Sequence, residues 1–271
     1  MLEFLCPVCN SPLALSDNTY KCKNNHCFDR SKKGYVNLLP AKGGKLHGDD
    51  KTMVKARTRF LDGGFYENFR EEVCRLSLKY AENNCKIIDC GCGECYYTSE
   101  IFKQLEKNGK NPEIMGIDIS KDAISAGYKR CKGLNLAVGS VFHLPCNSEY
   151  FNLLVTLFAP FCREEYSRVL KKGGYLIMAI PLENHLWELK GEIYEKPYKN
   201  QVSDFEIEGF ELVEKSEIKN KIQLTSNEQI LDLFSMTPYY YKTSHNDREK
   251  LNALEKLSVQ TEFMVLVYKK I

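Results

Sequence analysis

An α/β fold, with a mostly parallel, doubly wound sheet behind a small metal-held N-terminal module, is what this sequence predicts. Three observations carry the prediction. From residue 86 onward, short apolar runs alternate with helix-length segments, the pattern of parallel strands joined by crossover helices. A glycine-rich turn, "DCGCGEC" (residues 89–95), follows the first of those runs, at the strand edge where such sheets bind ligands. Ahead of both, cysteines recur with metal-ligand spacing in "CPVCNSPLALSDNTYKCKNNHC", residues 6–27.

The elements follow in order. Residues 1–36 show little apolar periodicity. Cys6 and Cys9 form a C-x-x-C pair, with Pro7 and Ser11–Pro12 favouring tight turns. After twelve intervening residues come Cys22, His26 and Cys27. Soft thiolates on two such knuckles suit tetrahedral zinc, and four ligands would close a structural site. The expected ligands are Cys6, Cys9, Cys22 and His26, with Cys27 as the competitor to His26. A segment this short cannot build its own core, so the metal would hold it together.

Residues 37–50, with Pro40 and "KGGKLHGDD", predict a linker. A basic helix is expected over Lys51–Leu61, broken by Gly63 and Gly64, and a second over Tyr66–Ala81. Then come a strand at Lys86–Asp89, a helix at Tyr96–Lys107, the strand "EIMGID", a helix at Lys121–Arg130 and the strand "LNLAVG". The strand "FNLLVTLF", a helix over Glu164–Leu170, the turn "KKGG" and the buried strand "YLIMAI" complete the alternation. From His185 the pattern gives one more helix, then strands near "FELVEKSEI" and "TEFMVLVYKK".

Composition limits the function classes. The net charge is only +2, but residues 1–60 hold 11 Lys/Arg against 5 Asp/Glu, while the rest hold 27 against 31. A basic N-terminal segment on a near-neutral body suits a phosphate-rich partner. No apolar run nears the roughly 18 residues of a membrane span, and no signal-peptide pattern opens the chain, so a cytoplasmic protein with no membrane partner is expected. Twelve cysteines without a secretory signal predict reduced thiols rather than a disulfide scaffold.

The second cysteine-rich stretch, "CKIIDCGCGECYYT", does not fit a metal site. Cys90 and Cys92 are two apart, and no histidine is near. Its glycines, between a buried strand and a helix, would let the backbone approach a ligand closely. The third glycine of a dinucleotide fingerprint is missing. The stretch instead looks like the D-x-G-x-G motif of S-adenosylmethionine-dependent methyltransferases. The next strand ends in Asp118, placed to accept two ribose hydroxyls. Ser140 and Val141, after the third, would meet the adenine edge, and Ala159, Pro160 and Phe161 follow the fourth, where donor and acceptor would meet.

The whole chain resembles the bacterial 23S rRNA guanine-N1 methyltransferases. The resemblance is densest in "CPVCNSPL…YKC…HCFD", "KKGYVNLLP", "FLDGGFYENFR", "IIDCGCGECYYT" with "GIDISKDAI", and "LKKGGYLIMAIPLENHLWELKG". It implies a Rossmann-like class I methyltransferase domain with a seven-stranded sheet and an N-terminal zinc-ribbon RNA-recognition module, usually dimeric. On that basis residues 1–36 form the ribbon, 37–64 the linker and basic helix, and 65–271 the methyltransferase domain. It favours His26 over Cys27. It places cofactor contacts at Tyr66, Gly91, Gly93, Glu94, Asp118 and His185, beside Asp89, Cys95, Ile119, Ser140 and Val141 on the same strand ends. Cys90 stands where isoleucine is usual. Cys95 stands where glycine is usual, and its side chain is expected to narrow the methionine end of the pocket.

The implied reaction is methyl transfer from S-adenosylmethionine to N1 of a guanosine in a 23S rRNA hairpin. Guanine N1 must lose a proton as it attacks, and the sequence names no single base; Tyr66, His185, Pro160 and Phe161 are the candidates near the acceptor. The target would be extruded against aromatics such as Phe158 or Phe161. Lys51, Lys55, Arg57 and Arg59 would grip flanking phosphates. Two alternatives remain at this level: a methyltransferase for a small molecule or protein, with the zinc module used for oligomerisation, and an RNA-binding protein that has lost cofactor affinity. Cys22→Ala is expected to loosen the N-terminal module and impair rRNA methylation while leaving cofactor affinity nearly intact.

Overall fold

A computed structural model describes residues 2–39, 48–202 and 204–271, all but the side chain of Lys242 among them. The part of the expected linker from Pro40 to His47 lies outside the described residues. A small antiparallel sheet, β1 (Ala14–Ser16), β2 (Thr19–Lys21) and β3 (Cys27–Asp29), forms the N-terminal ribbon. Between it and the body lies β4 (Val36–Asn37). The body then runs α1 (Lys51–Asp62), α2 (Glu67–Tyr80), β5 (Lys86–Cys90), α3 (Tyr96–Lys107), β6 (Glu113–Asp118), α4 (Lys121–Arg130) and β7 (Asn135–Val138). After β8 (Phe151–Leu157), α5 (Arg163–Val169), β9 (Leu170–Pro181) and α6 (Trp187–Ile193), β10 (Phe210–Leu224) and β11 (Leu257–Lys270) flank α7 (Asn227–Ser235), α8 (Tyr239–Lys242) and α9 (His245–Asn252).

The large sheet has the order β10-β11-β9-β8-β5-β6-β7-β4. Its centre is parallel, and β9-β11-β10 is antiparallel. All seven expected strands are present, and β4 adds an eighth. Val36 and Asn37 pair in parallel with Ala137 and Val138, and the Leu38 N–H donates to the Val138 carbonyl at 2.8 Å. The range read as linker therefore begins inside the sheet.

A central parallel sheet needs apolar cover on both faces. On one face, Ile87, Ile114, Leu136 and Leu153 pack under Phe69, Val73 and Leu76 of α2, Ile101 and Leu105 of α3 and Ile124 of α4. On the other, the connection from β7 to β8 contains no helix, and the ribbon fills its place. Leu2, Phe4, Leu13, Val36 and Leu38 share a core with Ile88, Met115, Ile117 and Ala137, beside Tyr166 and Val169 of α5. The Leu5 N–H also donates to the Pro145 carbonyl at 2.8 Å.

Two expectations need correction. The "KKGG" turn is not a turn between elements. Lys171–Gly174 lies within β9 as an irregularity, where pairing jumps from Phe151–Leu170 to Leu153–Tyr175 and Gly173 takes φ +78°. The helices α7, α8 and α9 were also not expected. Ser226 caps α7 by accepting from the Gln229 N–H, while the Gln229 side chain accepts from the Thr225 N–H. That Ser-x-x-Gln signal was present in the sequence.

Candidate active site and metal centre

Strand order reverses at β5, with β6 and β7 on one side and β8 and β9 on the other. Such a switch point opens a crevice at the carboxyl ends of the strands. A cleft of about 380 Å³ lies there, lined by Asp89, Gly91, Gly93, Glu94, Asp118, Ile119, Ser140, Val141, Ala159 and Pro160 among others. These are expected residues brought together from four strand ends. Tyr66, Cys95, His185 and Phe161 are outside its wall.

Gly91 and Gly93 take φ values of +85° and +55°, which an L side chain adopts only under strain. A Cβ on Gly91 would sit 2.3 Å from the Cβ of Ala159, so glycine keeps the loop and the β8 turn in contact. The Gly93 N–H donates to Asp118 Oδ2 at 2.9 Å and the Ser120 N–H to Oδ1 at 2.8 Å. Asp118 thus ties the loop to the end of β6, and each oxygen keeps a lone pair for a ligand hydroxyl. Burial nonetheless pushes its carboxyl above the ordinary range. A side-chain-free cradle, a vicinal-diol acceptor and a strongly acidic wall fit a nucleoside that is cationic at sulfur.

Asp89 is buried, accepts from Thr98 Oγ1 at 2.5 Å, and is pushed up to about 7 by burial, despite that hydrogen bond. An acid whose folded pKa exceeds its unfolded 3.8 contributes stability at low pH that fades as pH rises through about 7. Asp89→Asn is therefore expected to flatten the pH dependence of melting between about pH 4 and 7. It should raise stability at pH 8 by on the order of 2–4 kcal/mol. Thermal denaturation across pH 4–8 checks this; a variant as pH-dependent as wild type would assign the slope to another group.

Cys95 occupies the left-handed region, φ +61° and ψ +30°, as the N-cap of α3, which explains why glycine suits the position. The expectation that its side chain narrows the pocket is corrected. The residue is buried, and its sulfur packs against Gly127 of α4, where a Cβ would lie 2.5 Å from it. Burial also pushes the Cys90 and Cys92 thiols far up, so these two stay protonated and apolar. Cys95→Gly should change stability by less than about 1 kcal/mol, because relieved strain offsets lost packing. Gly127→Ala should cost about 1–3 kcal/mol, and the double variant should recover most of it. Urea denaturation of the three proteins measures the coupling, and additive effects would disprove it.

Tyr66 and His185 meet one ring behind the cleft. Phe263 of β11 lies 5.1 Å from Tyr66, 4.4 Å from His185 and 5.3 Å from Phe158, and Phe158 is the half-exposed ring in the cleft wall. His185 Nδ1 accepts from the Glu262 N–H at 3.2 Å, which leaves the ring proton on Nε2. Burial, then the charge of Lys190, lowers its pKa to about 3. At neutral pH His185 is a neutral donor and an ineffective base. Burial pushes the Tyr66 hydroxyl upward as well. Phe161 is half-exposed and packs edge-on against Tyr166.

Sequence reasoning missed Asp49, Phe142 and Arg57 as parts of the cleft wall and assigned Arg57 to phosphates, whereas Phe158, expected to face the target base, does lie in that wall. Arg57 instead pairs with Asp49 inside the cleft. Arg59 is also committed, holding Asp232 of α7 through two hydrogen bonds of 2.9 and 2.5 Å. Lys51 and Lys55 remain exposed, with no ion pair to a described residue.

In the ribbon, the ligand atoms of Cys6, Cys9, Cys22 and His26 all lie within 4.8 Å of one another. Cys9 and Cys22 sulfurs are 3.7 Å apart, and His26 Nδ1 is 3.5 Å from Cys6 Sγ and 3.4 Å from Cys22 Sγ. Zinc bonds of about 2.3 Å to sulfur and 2.0–2.1 Å to nitrogen give tetrahedron edges of about 3.6–3.8 Å, so the four residues fit that ion. Cys27 is exposed, with its thiol turned to the Asn25 carbonyl, so the group that could hold a metal is Cys6, Cys9, Cys22 and His26.

Comparison with known proteins agrees with this geometry. A zinc-ribbon family described as "RlmA, N-terminal" matches residues 4–45, and a family described as "Methyltransferase domain" matches residues 81–230. A Streptomyces fradiae protein named "23S rRNA (guanine(748)-N(1))-methyltransferase" is 32% identical over 68% of this chain, a stretch spanning 65% of that protein. A Bacillus subtilis (strain 168) protein named "Putative 23S rRNA (guanine-N(1)-)-methyltransferase YxjB" is 27% identical over 97% of this chain and 96% of its own length. The crystal structure of a Bacillus halodurans C-125 protein titled a "putative methyltransferase" covers 74% of this chain and 99% of its own, with a TM-score of 0.52 at 17% identity, which shows the shared fold. With more than half its length matched by the methyltransferase-domain family and a glycine cleft at the switch point of its sheet, the chain belongs to that family and has the class I fold.

Proposed function

We propose that the protein transfers a methyl group from S-adenosylmethionine to N1 of a guanosine in a hairpin loop of 23S rRNA. The carrying observation is the union, in one chain, of a four-ligand zinc cluster and a cleft suited to that nucleoside. Relatives that match over 97% and 92% of this chain are named for this reaction. When bound, the cofactor supplies a methyl group on a cationic sulfur, already activated for displacement.

The residues divide the work. Asp118 accepts from the ribose, and the Ser140–Val141 backbone borders the adenine. Gly91, Gly93 and Glu94 shape the amino-acid end, with Tyr66 and His185 supporting it from behind Phe158. Guanine N1 releases its proton to solvent water as its lone pair takes the methyl group, and the bond from that methyl to the cationic sulfur breaks, leaving a neutral thioether. His185, neutral with its proton on Nε2, packs on Phe263 behind the cleft and takes no part in removing that proton. Exposed Phe142 and half-exposed Phe158 at the cleft wall offer faces on which an extruded base would stack.

In this reading residues 1–36 recognise RNA and 65–271 catalyse, while 37–64 connect them and lend Asp49 and Arg57 to the cleft wall. The protein works in the cytoplasm as a homodimer, with Lys51 and Lys55 near RNA phosphates. No described helix is long and apolar enough to cross a membrane. Reverse transcription of 23S rRNA treated with protein and cofactor tests the proposal, because an N1 methyl blocks base pairing. A new stop at one loop guanosine is expected with wild type and not with Asp118→Ala. No stop with the wild-type protein and cofactor would overturn it.

A further inference from the structure

We infer that Arg57 is the anchor for the cofactor's amino-acid carboxylate, held ready by Asp49. The inference rests on the S-adenosylmethionine reading above and extends it to the orientation of the ligand. Among the described residues lining the cleft, Asp49, Asp89, Glu94 and Asp118 are acids and Arg57 is the one base with a permanent charge. A zwitterionic amino-acid group entering this wall has several acceptors for its ammonium. For its carboxylate the cleft offers one cationic side chain.

Position supports the assignment. A Cβ on Gly93 would lie 4.0 Å from Arg57 Nη1, so the guanidinium stands over the glycine loop. It is two strands away from Ser140 and Val141, which follow β7. The adenine and the carboxylate are thereby assigned to opposite ends of the cleft. Helix α1 fixes the aim. Asp50 caps it by accepting from the Thr52 and Met53 N–H groups, and buried Met53, Val54, Ala56, Phe60 and Leu61 set its rotation. Asp49, just before the cap, accepts from Ser120 Oγ through its carbonyl at 2.6 Å, which pins the segment across the end of β6.

The guanidinium is also available. Of its five N–H donors, only one on Nη1 is engaged by a described residue, Asp49 Oδ2. The remaining donors suit the fork geometry by which arginine grips a carboxylate. Asp49 keeps the charged side chain in place without saturating it. Glu94 has its own cation, Arg130, at 3.0 Å, and so does not need Arg57 for neutralisation.

Calorimetric titration of the full-length, zinc-loaded protein with two nucleosides tests this. One is S-adenosylhomocysteine; the other is its decarboxylated counterpart, with the same adenosine, thioether and amine. Wild type should prefer the first by about tenfold to a hundredfold, the range for a charge-assisted contact. Arg57→Met should bring the two to near parity, Arg57→Lys should keep part of the preference, and Asp49→Asn should keep it. If Arg57→Met weakens both nucleosides by the same factor, the arginine only supports the loop and the inference fails. If Arg57→Met does not fold, a full preference in Arg57→Gln would overturn the assignment and its loss would support it. If wild type binds neither nucleoside, the cofactor reading itself fails and carries this inference down with it.

Discussion

Asp118→Ala is expected to weaken S-adenosylhomocysteine binding by about a hundredfold or more. A carboxylate accepting from two ribose hydroxyls makes two charge-assisted hydrogen bonds, each of about 1.5–3 kcal/mol, and every 1.4 kcal/mol is about tenfold in affinity. The same change also removes the acceptor for the Gly93 and Ser120 N–H groups, which loosens the loop as well as the ribose contact. Stability of the ligand-free protein should fall much less than affinity. Burial already disfavours the ionised Asp118, so its removal relieves a cost as it breaks two bonds. Calorimetry on the folded variant reads the result. Affinity within about threefold of wild type would place the ribose elsewhere.

Cys22→Ala is expected to have the largest effect on stability. A structural zinc contributes on the order of 10 kcal/mol to the folding of a small module. Losing half of that should lower the melting temperature by about 10 °C or more. The loss should not stay in the ribbon. Leu2, Phe4 and Leu13 are part of the core over β5, β6 and β7, and β4 pairs with β7, which leads directly to Gly139, Ser140 and Val141 in the cleft wall. The expectation that cofactor affinity survives this change is therefore revised: it should fall together with the metal. Scanning calorimetry beside a zinc assay decides between the two. A metal-free variant with wild-type melting and binding would show that the ribbon is dispensable to the body.

Much of this was legible in the sequence, and the reasons are physical. Tyr96–Lys107 and Lys121–Arg130 were bounded correctly because their strands and turns flank them with strong signals, and "DCGCGEC" announced the cleft because only glycine tolerates Gly91's backbone beside Ala159. The C-x-x-C and Cys-x3-His pairs announced the metal centre because ligand spacing is local. What stayed hidden was long-range. Nothing near position 57 says that an arginine of a basic helix turns inward, and nothing near Tyr66 or His185 says that Phe263, far along the chain, will join them. Val36 and Asn37 are too few to show a strand's alternation. The first of the three late helices was written locally all the same, since Ser226 and Gln229 spell a cap.

The ribbon's place over the sheet has a consequence for biosynthesis. It leaves the ribosome before the body does, but the surface it must settle on includes Ile88, Met115, Ala137 and Tyr166, the last of them synthesised more than a hundred residues later. Until then the nascent ribbon has no neighbour to lean on, and early capture of zinc would keep it shaped and its apolar side out of trouble while the rest emerges.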